Sequence, residues 1–377
     1  MPTGVVFFAV LSVLVLVHEL GHFLAARFLG IKVEEFAFGL PFTKAIFKFK
    51  RGETQYSIYP LLFGGFVKLY GEESQAEDKK RSFWNRGRKQ RMIVIAAGVI
   101  MNLVLAMAAF VGLYAYVGVP IRVDERVTLS KDKNGMVIDP GSPAEKADLR
   151  ENDQILEVEG KVIESEKEAS SLIKSWAGVG VNLKIRRVEP VYLFEGIWEK
   201  QAREFVVTVV PRENPPEGQG ALGVRLSLYP YLITEKCVMS DVSCHFGAVT
   251  AGFKSTGVWV GKVFDGLRAI GKSLAAGQKP EGVSGPVGIY ELTDVVAQGG
   301  FWPVLELVAI LSVNLAVFNI LPIPALDGGR MLFIWIEWVR RKRMDAKLEQ
   351  KINSWGMAFL IGLLILITLQ DVIRVGK

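Results

Sequence analysis

The chain reads as an α-helical polytopic membrane protein. Four transmembrane helices are expected, with a membrane-associated β-hairpin or re-entrant segment and one extracytoplasmic α+β domain. Three observations predict this. Half of the 377 residues are hydrophobic and the mean hydropathy is +0.29, too apolar for an ordinary soluble chain. The apolar residues gather in four long runs, each reaching the roughly 20 residues that cross a bilayer core. The 22% of residues that are charged fall mostly between those runs, so part of the chain lives in water.

The first span occupies residues 1–30. It is uncharged from Gly4 to Val17 and then continues through His18, Glu19 and His22. No basic residue precedes it, and the apolar run flows into a polar motif, which is unlike a cleavable signal peptide. Residues 42–70 read as β: two alternating runs flank a Gly-containing turn, and an apolar run interrupted by Gly64 and Gly65 follows. Apolar β structure next to a span can dip into the membrane where protein or a watery cavity satisfies its backbone. A charged loop (71–91) leads to a second, uncharged span (92–121). The water-soluble domain covers 122–228. Within 229–300, apolar residues recur at helical spacing from Phe246 to Ile270, which predicts an amphipathic helix on the outer membrane face. The third span covers 301–336, a short loop 337–351, and the fourth span 352–373.

Charge sets the orientation. The net charge is +6, but Lys and Arg crowd the loop after span one and residues 340–343 after span three. With four spans these loops share one side, and the positive-inside rule makes it cytoplasmic. Both termini and residues 122–228 then face outward. The basic balance is a topology signal, not a nucleic-acid surface. Cys237 and Cys244 are the only cysteines, and the residues leave open whether they pair.

The chemistry lies in His18–Glu19–x–x–His22. Residues four apart share a helix face, so both imidazoles can hold one metal ion with Glu19 beside it. Ionisable groups at membrane depth are costly and usually functional. A hydrolytic zinc takes three protein ligands and leaves a fourth position for water. The chain's remaining histidine, His245, lies in the outward region, so the third ligand is expected to be a carboxylate. Spans one and three run in the same direction, which puts Asp327 at the depth of the histidines and Glu306 near the opposite surface. Pro322 and Pro324 break the helix before Asp327, and Gly328 and Gly329 permit close approach. Asn319 would project from the last regular turn, as a further donor to an oxyanion or to substrate backbone. For Asn314 two readings stay open, an interhelical hydrogen bond or a functional polar group beside the cavity.

Two resemblances sharpen the picture. Residues 136–163, with Gly141–Ser142–Pro143–Ala144 entering a short helix and Asn152–Asp153 at a turn, resemble a PDZ domain. That implies strand addition of extended peptide ends. The ordered set HELGH, GGFVKL, GPVGI and NILPIPALDGG resembles the site-2 protease family of intramembrane zinc metalloproteases, closest to the RseP type. The resemblance implies Zn2+ held by His18, His22 and Asp327, with Glu19 as general base. It also implies a bacterial inner-membrane enzyme that cuts single-pass membrane proteins, such as trimmed anti-sigma factors or signal-peptide remnants, toward the cytoplasmic side. A substrate helix must unwind before it can be cut. Gly64, Gly65, Phe66, Val67, Lys68 and Leu69 are expected to pair with it as an added strand. A non-catalytic adaptor and a metal transporter are the alternatives. Glu19 argues against the first, and the lack of a ligand ladder across the bilayer against the second.

Overall fold

The computed structural model describes residues 2–41, 43–72, 78–131, 135–235, 242–278 and 284–375. In chain order, helix α1 (Thr3–Phe28) is followed by strands β1 (Val33–Leu40), β2 (Phe47–Arg51), β3 (Thr54–Ile58) and β4 (Leu61–Leu69), then helix α2 (Arg88–Val117). Next come β5 (Val119–Ser130), α3 (Pro143–Lys146), β6 (Asp153–Val158), β7 (Lys161–Val162) and α4 (Glu166–Ser175). Strands β8 (Val181–Leu193), β9 (Gly196–Val209) and β10 (Arg225–Glu235) precede α5 (Val242–Ala275) and α6 (Pro286–Gln298). The chain ends with α7 (Phe301–Ile320), α8 (Asp327–Arg340) and α9 (Ala346–Val375). Two compact units result, one of Met1–Gly112 with Val249–Lys377, the other of Leu113–Ala248. Cys237 lies outside the described residues, so the pairing of Cys237 with Cys244 does not enter the account.

In the first unit, α1, α2, α7 and α9 are each long and apolar enough to cross a membrane. Their outward faces carry exposed apolar side chains such as Phe8, Ile100 and Phe359, which water would not tolerate in this number and lipid does. Their inward faces interlock. Val6, Val10 and Leu14 of α1 pack with Leu105 of α2 and Val304, Val308 and Leu311 of α7. Phe23, Ala26, Val94, Ile95 and Ile334 join α1, α2 and α8 to β1 and β4 through Val33 and Leu69.

The β region differs from expectation in one respect. The hairpin β2–β3 forms around Gly52 (φ +64°), but the sheet also recruits β1, upstream of residue 42, giving the order β2-β3-β1-β4. Strand β1 runs parallel to β3 and antiparallel to β4. Glu34 and Glu35 disguise it in the sequence. Across the sheet Lys68 pairs with Glu34 at 3.4 Å, while Gln55 and Tyr59 donate to Glu35, so neither carboxylate penalises the strand.

Other boundaries also move. Helix α2 begins at Arg88 and ends at Val117, where Gly118 adopts φ +100°. Residues 119–121, expected in the second span, open β5 instead. Helix α5 forms despite its glycines, and rather than lying apart on the membrane face it packs Trp259, Val260, Val263 and Leu267 against Ala106, Val313 and Val317 of α2 and α7. Its Gly252 makes this approach possible, because a Cβ there would meet Val111 at 2.6 Å. The segment before span three is a separate helix, α6. Asp371 of α9 accepts from Gly285 and Gly288 N–H at 2.8 and 3.0 Å and so satisfies the free donors at its start. Asn314 donates to Ile310 O at 2.9 Å within its own helix, not between helices.

In the second unit the strands run β5-β10-β9-β8-β6-β7, and an additional β5–β6 pairing at Thr128↔Gln154 joins β6 back to β5. Val127, Leu129, Ile155, Leu183 and Ile185 fill the interior, with Ala169 and Ile173 of α4 against them. Both short helices have serine caps: Ser142 accepts from Glu145 N–H and Ser165 from Glu168 N–H, with Glu145 and Glu168 reaching back to Gly141 and Glu164 N–H. Fully buried Asp153 is held by Arg187 at 2.7 Å.

One ion pair in the first unit is sealed from solvent. Arg91 of α2 bonds Glu337 of α8, both under 3% exposed, and Trp84 lies 5.5 Å beneath the guanidinium. Removing one partner of such a pair strands the other charge. Glu337→Leu should therefore destabilise the protein by about 3–5 kcal/mol, read as thermal unfolding in detergent, and adding Arg91→Met should recover most of the loss.

Candidate metal centre

Helix α1 presents His18 and His22 one turn apart on the face toward α2. Two glycine contacts make room. A Cβ on Gly21 would meet Ala97 O at 2.3 Å, and one on Gly98 would meet His22 Nε2 at 2.4 Å and His18 Cε1 at 2.8 Å. The backbones of α1 and α2 thus touch directly, and the two imidazoles fill the space that a side chain at 98 would take.

Asp327 reaches the same point from the opposite side. After Ile320 the chain leaves the helix, passes Pro322 and Pro324, and restarts at Asp327 as the first residue of α8. This turn is tightly made. A Cβ on Gly328 would lie 2.1 Å from Leu321 O, one on Gly329 2.4 Å from Ile323 O, and one on Gly356 of α9 2.5 Å from Pro324 Cβ. Ala325 takes a left-handed conformation (φ +75°), costly for a residue with a Cβ. Its N–H donates to Asn353 Oδ1 of α9 at 3.1 Å.

The three side chains converge. Asp327 Oδ2 lies 3.1 Å from His18 Nε2 and 3.2 Å from His22 Nε2, and the two Nε2 atoms are 3.2 Å apart. Among the described residues this is the one cluster of three His, Cys, Asp or Glu side chains able to share a metal ion. His22 Nδ1 is 2.8 Å from Val94 O. A carbonyl only accepts, so Nδ1 carries the proton, and in the neutral ring Nε2 is the lone pair left to bind a metal. Asp327 Oδ2 is buried without a hydrogen-bond partner. A cation at their centre would satisfy all three atoms. The edges also fit: a tetrahedron with bonds of about 2.0 Å has edges of roughly 3.3 Å.

The surroundings account for the remaining expected residues. Strand β4 runs alongside α1, so that a Cβ on Gly65 would sit 3.4 Å from Glu19 Cγ and 3.4 Å from Val15 Cγ1. Gly64 takes φ +97°. Phe66 and Val67 pair with Ala37 and Phe36 of β1, and Lys68 and Leu69 continue the strand. Among the described residues the opposite side of β4 has no strand neighbour, since β4 ends the sheet. Asn319 is half-buried on the last turn of α7 and makes no hydrogen bond to His18, His22 or Asp327. Glu306 is buried but stands outside the cluster. Arg330, one turn beyond Asp327, pairs with Glu72 at 2.5 Å and ties α8 to the end of the β region.

Sequence reasoning missed Val94, Gly98 and Asn102, all on α2. Asn102 is fully buried, with its amide 3.1 Å from His18 Nδ1. An amide one turn from a glycine in an otherwise apolar span was the available signal.

Two imidazoles and a carboxylate meet at one point where they could hold a metal ion, with Glu19 adjoining them on an apolar helix. The chain belongs to Peptidase family M50, which matches residues 6–363. It is 35% identical over 362 residues to a Clostridium perfringens protein described as a zinc metalloprotease, covering 96% of each chain. It is 30% identical over 452 residues to the regulator of sigma-W protease RasP of Bacillus subtilis, covering 99% of this chain and 98% of the relative. A Clostridium acetobutylicum protein, also described as a zinc metalloprotease, is 30% identical across 96% of this chain and 95% of its own. The protein is therefore a peptidase.

Gly98→Ala should push both imidazoles off the common point. Metal content of the purified protein, measured by elemental analysis, should fall at least about tenfold, on the scale of lost ligand support, while circular dichroism stays that of the parent.

Proposed function

We propose that this peptidase is a zinc-dependent intramembrane endopeptidase, in which His18, His22 and Asp327 hold zinc and Glu19 is the general base. The observation that carries the reading is the triangle of two imidazole nitrogens and one carboxylate oxygen, each about 3.2 Å from the others, among membrane-crossing helices. Relatives along nearly the whole chain are described as zinc metalloproteases, which supports zinc as the ion. Bound there, zinc would polarise the scissile carbonyl and acidify the attacking water. Glu19 would take that water's proton on its carboxylate and pass it to the departing amine nitrogen. Asn319 would donate to substrate backbone from the mouth of the broken span.

A transmembrane substrate arrives as a helix whose carbonyls are already bonded. Strand β4 supports an answer. Its face meets Glu19 at Gly65, and among the described residues its outer edge has no strand partner, so an unwound segment could add to the sheet near the general base, exchanging its helical hydrogen bonds for ladder bonds. Gly64–Leu69 would hold the substrate in this way.

The expected substrates are single-pass membrane proteins. The relative named regulator of sigma-W protease supports anti-sigma factors among them, and signal-peptide remnants share the same geometry. By the charge rule the metal centre lies toward the cytoplasmic side of a bacterial inner membrane, with both termini and the second unit outside. That unit reads as a PDZ-like gate on substrate tails. Strand β10 meets β9 only at Tyr231 and Leu232, so its first half lacks that neighbour, and there Glu166 Oε1 takes the Leu228 N–H at 2.6 Å. Such an edge suits an added peptide.

Glu19→Gln should abolish cleavage of a model single-span substrate while zinc stoichiometry remains that of the parent; retained cleavage removes Glu19 as base. Successive strand N–H groups point to opposite edges. One of Gly65→Pro and Phe66→Pro therefore removes a donor on the free edge of β4, and that variant should lose cleavage with its zinc intact. If both variants cut normally, the strand plays no part in holding substrate.

A further inference from the structure

The two histidines are not secured in the same way. His22 needs no help from another side chain, because Val94 O fixes its Nδ1 proton. Among the described residues no carbonyl takes that part for His18. The group 3.1 Å from its Nδ1 is the Asn102 side-chain amide, on a fully buried residue. We propose that Asn102 is the positioning residue for His18, its amide oxygen accepting the Nδ1 proton and so keeping the Nε2 lone pair on the metal. This rests on reading His18, His22 and Asp327 as the zinc site.

A neutral imidazole carries one proton. If the Asn102 NH2 faced Nδ1, that nitrogen would accept and the proton would sit on Nε2. It would then point into the space shared with His22 Nε2 and Asp327 Oδ2, where a metal ligand must be bare. A half-turn of the amide exchanges two ends of almost equal size and offers oxygen to Nδ1 instead. Nothing else holds the amide back, because its Oδ1 is buried without a hydrogen-bond partner. Either orientation leaves one end unpaired, so the imidazole's requirement decides between them.

The backbone of Asn102 is held in place. Ser312 Oγ of α7 donates to Asn102 O at 2.8 Å, both residues being fully buried. Gly98, one turn earlier on the same face, leaves room for the rings. Three helices thereby fix one imidazole: α1 carries it, α2 orients it and α7 braces the orienting residue. A buried amide used only for helix packing would not need its polar end at a ligand nitrogen.

The test compares Asn102→Leu, Asn102→Ala and Asn102→Asp with the parent, purified in detergent. Zinc affinity is measured by competition with a chromophoric chelator, and the visible spectrum of the cobalt-substituted protein reports ligand geometry. Loss of the acceptor should weaken zinc binding about 10–100-fold in the Leu and Ala variants and alter the cobalt spectrum. The Asp variant, which keeps an acceptor, should bind zinc within about threefold of the parent, well short of that loss, or more tightly. Parent-like affinity in a folded Leu or Ala variant overturns the proposal. So does an Asp variant as weak as the other two, which keeps the test decisive if an apolar variant fails to fold. A parent that binds no zinc would instead refute the site reading on which the proposal stands.

Discussion

Holding two imidazole nitrogens and a carboxylate oxygen within about 3.2 Å of one another, between apolar helices, is the constraint to which the rest of the first unit answers. Polar groups taken out of water are expensive unless paired, and three lone-pair donors repel until a cation sits among them. The protein must therefore preorganise an unfavourable arrangement, and it does so with close backbone contacts. Gly21 and Gly98 bring α1 against α2, while Gly328, Gly329 and Gly356 fold the 320–327 turn onto itself and onto α9. Side chains at these positions would hold the helices apart and dissolve the site.

The same economy explains the broken third span. A continuous helix through residue 327 would carry the carboxylate past on a fixed screw, at whatever angle the helix happened to have. Ending α7 at Ile320 and restarting at Asp327 lets the turn, rather than the helix axis, aim the side chain. The cost is a left-handed Ala325 and several freed backbone groups. Asn353 takes one of these at 3.1 Å. Helix α9, whose membrane-crossing stretch is almost wholly exposed, thus contributes to the site through a few residues at its start.

Charge is handled differently a short way along the same elements. Arg91 and Glu337, and Arg330 and Glu72, pair across α2, α8 and the end of the β region. These pairs neutralise one another and link the helix bearing Asp327 to the strand that passes Glu19. The His18–His22–Asp327 cluster and the strand beside Glu19 are thus tied together by side-chain ion pairs.

Much of this was legible in the residues. Apolar runs foreshadowed four long apolar helices, though the third ends at Ile320 instead of continuing to 336; the His18–Glu19–x–x–His22 spacing put two imidazoles on one helix face, and Pro322, Pro324, Gly328 and Gly329 marked the break before Asp327. Periodicity, turn chemistry and ligand spacing are local properties, and they survive translation into sequence. What depended on distance did not. Strand β1 was hidden because Glu34 and Glu35 are satisfied by Lys68, Gln55 and Tyr59 from other strands. Arg88 and Arg91 were assigned to a loop because the partner that lets Arg91 be buried, Glu337, is 246 residues away. Val94 O and Asn102 matter only because α2 lies against α1. The chain's order of residues determined which groups could bind a metal and at what depth; only the packed helices decided which atoms meet, because close approach and hydrogen-bond satisfaction belong to pairs of elements and to neither alone.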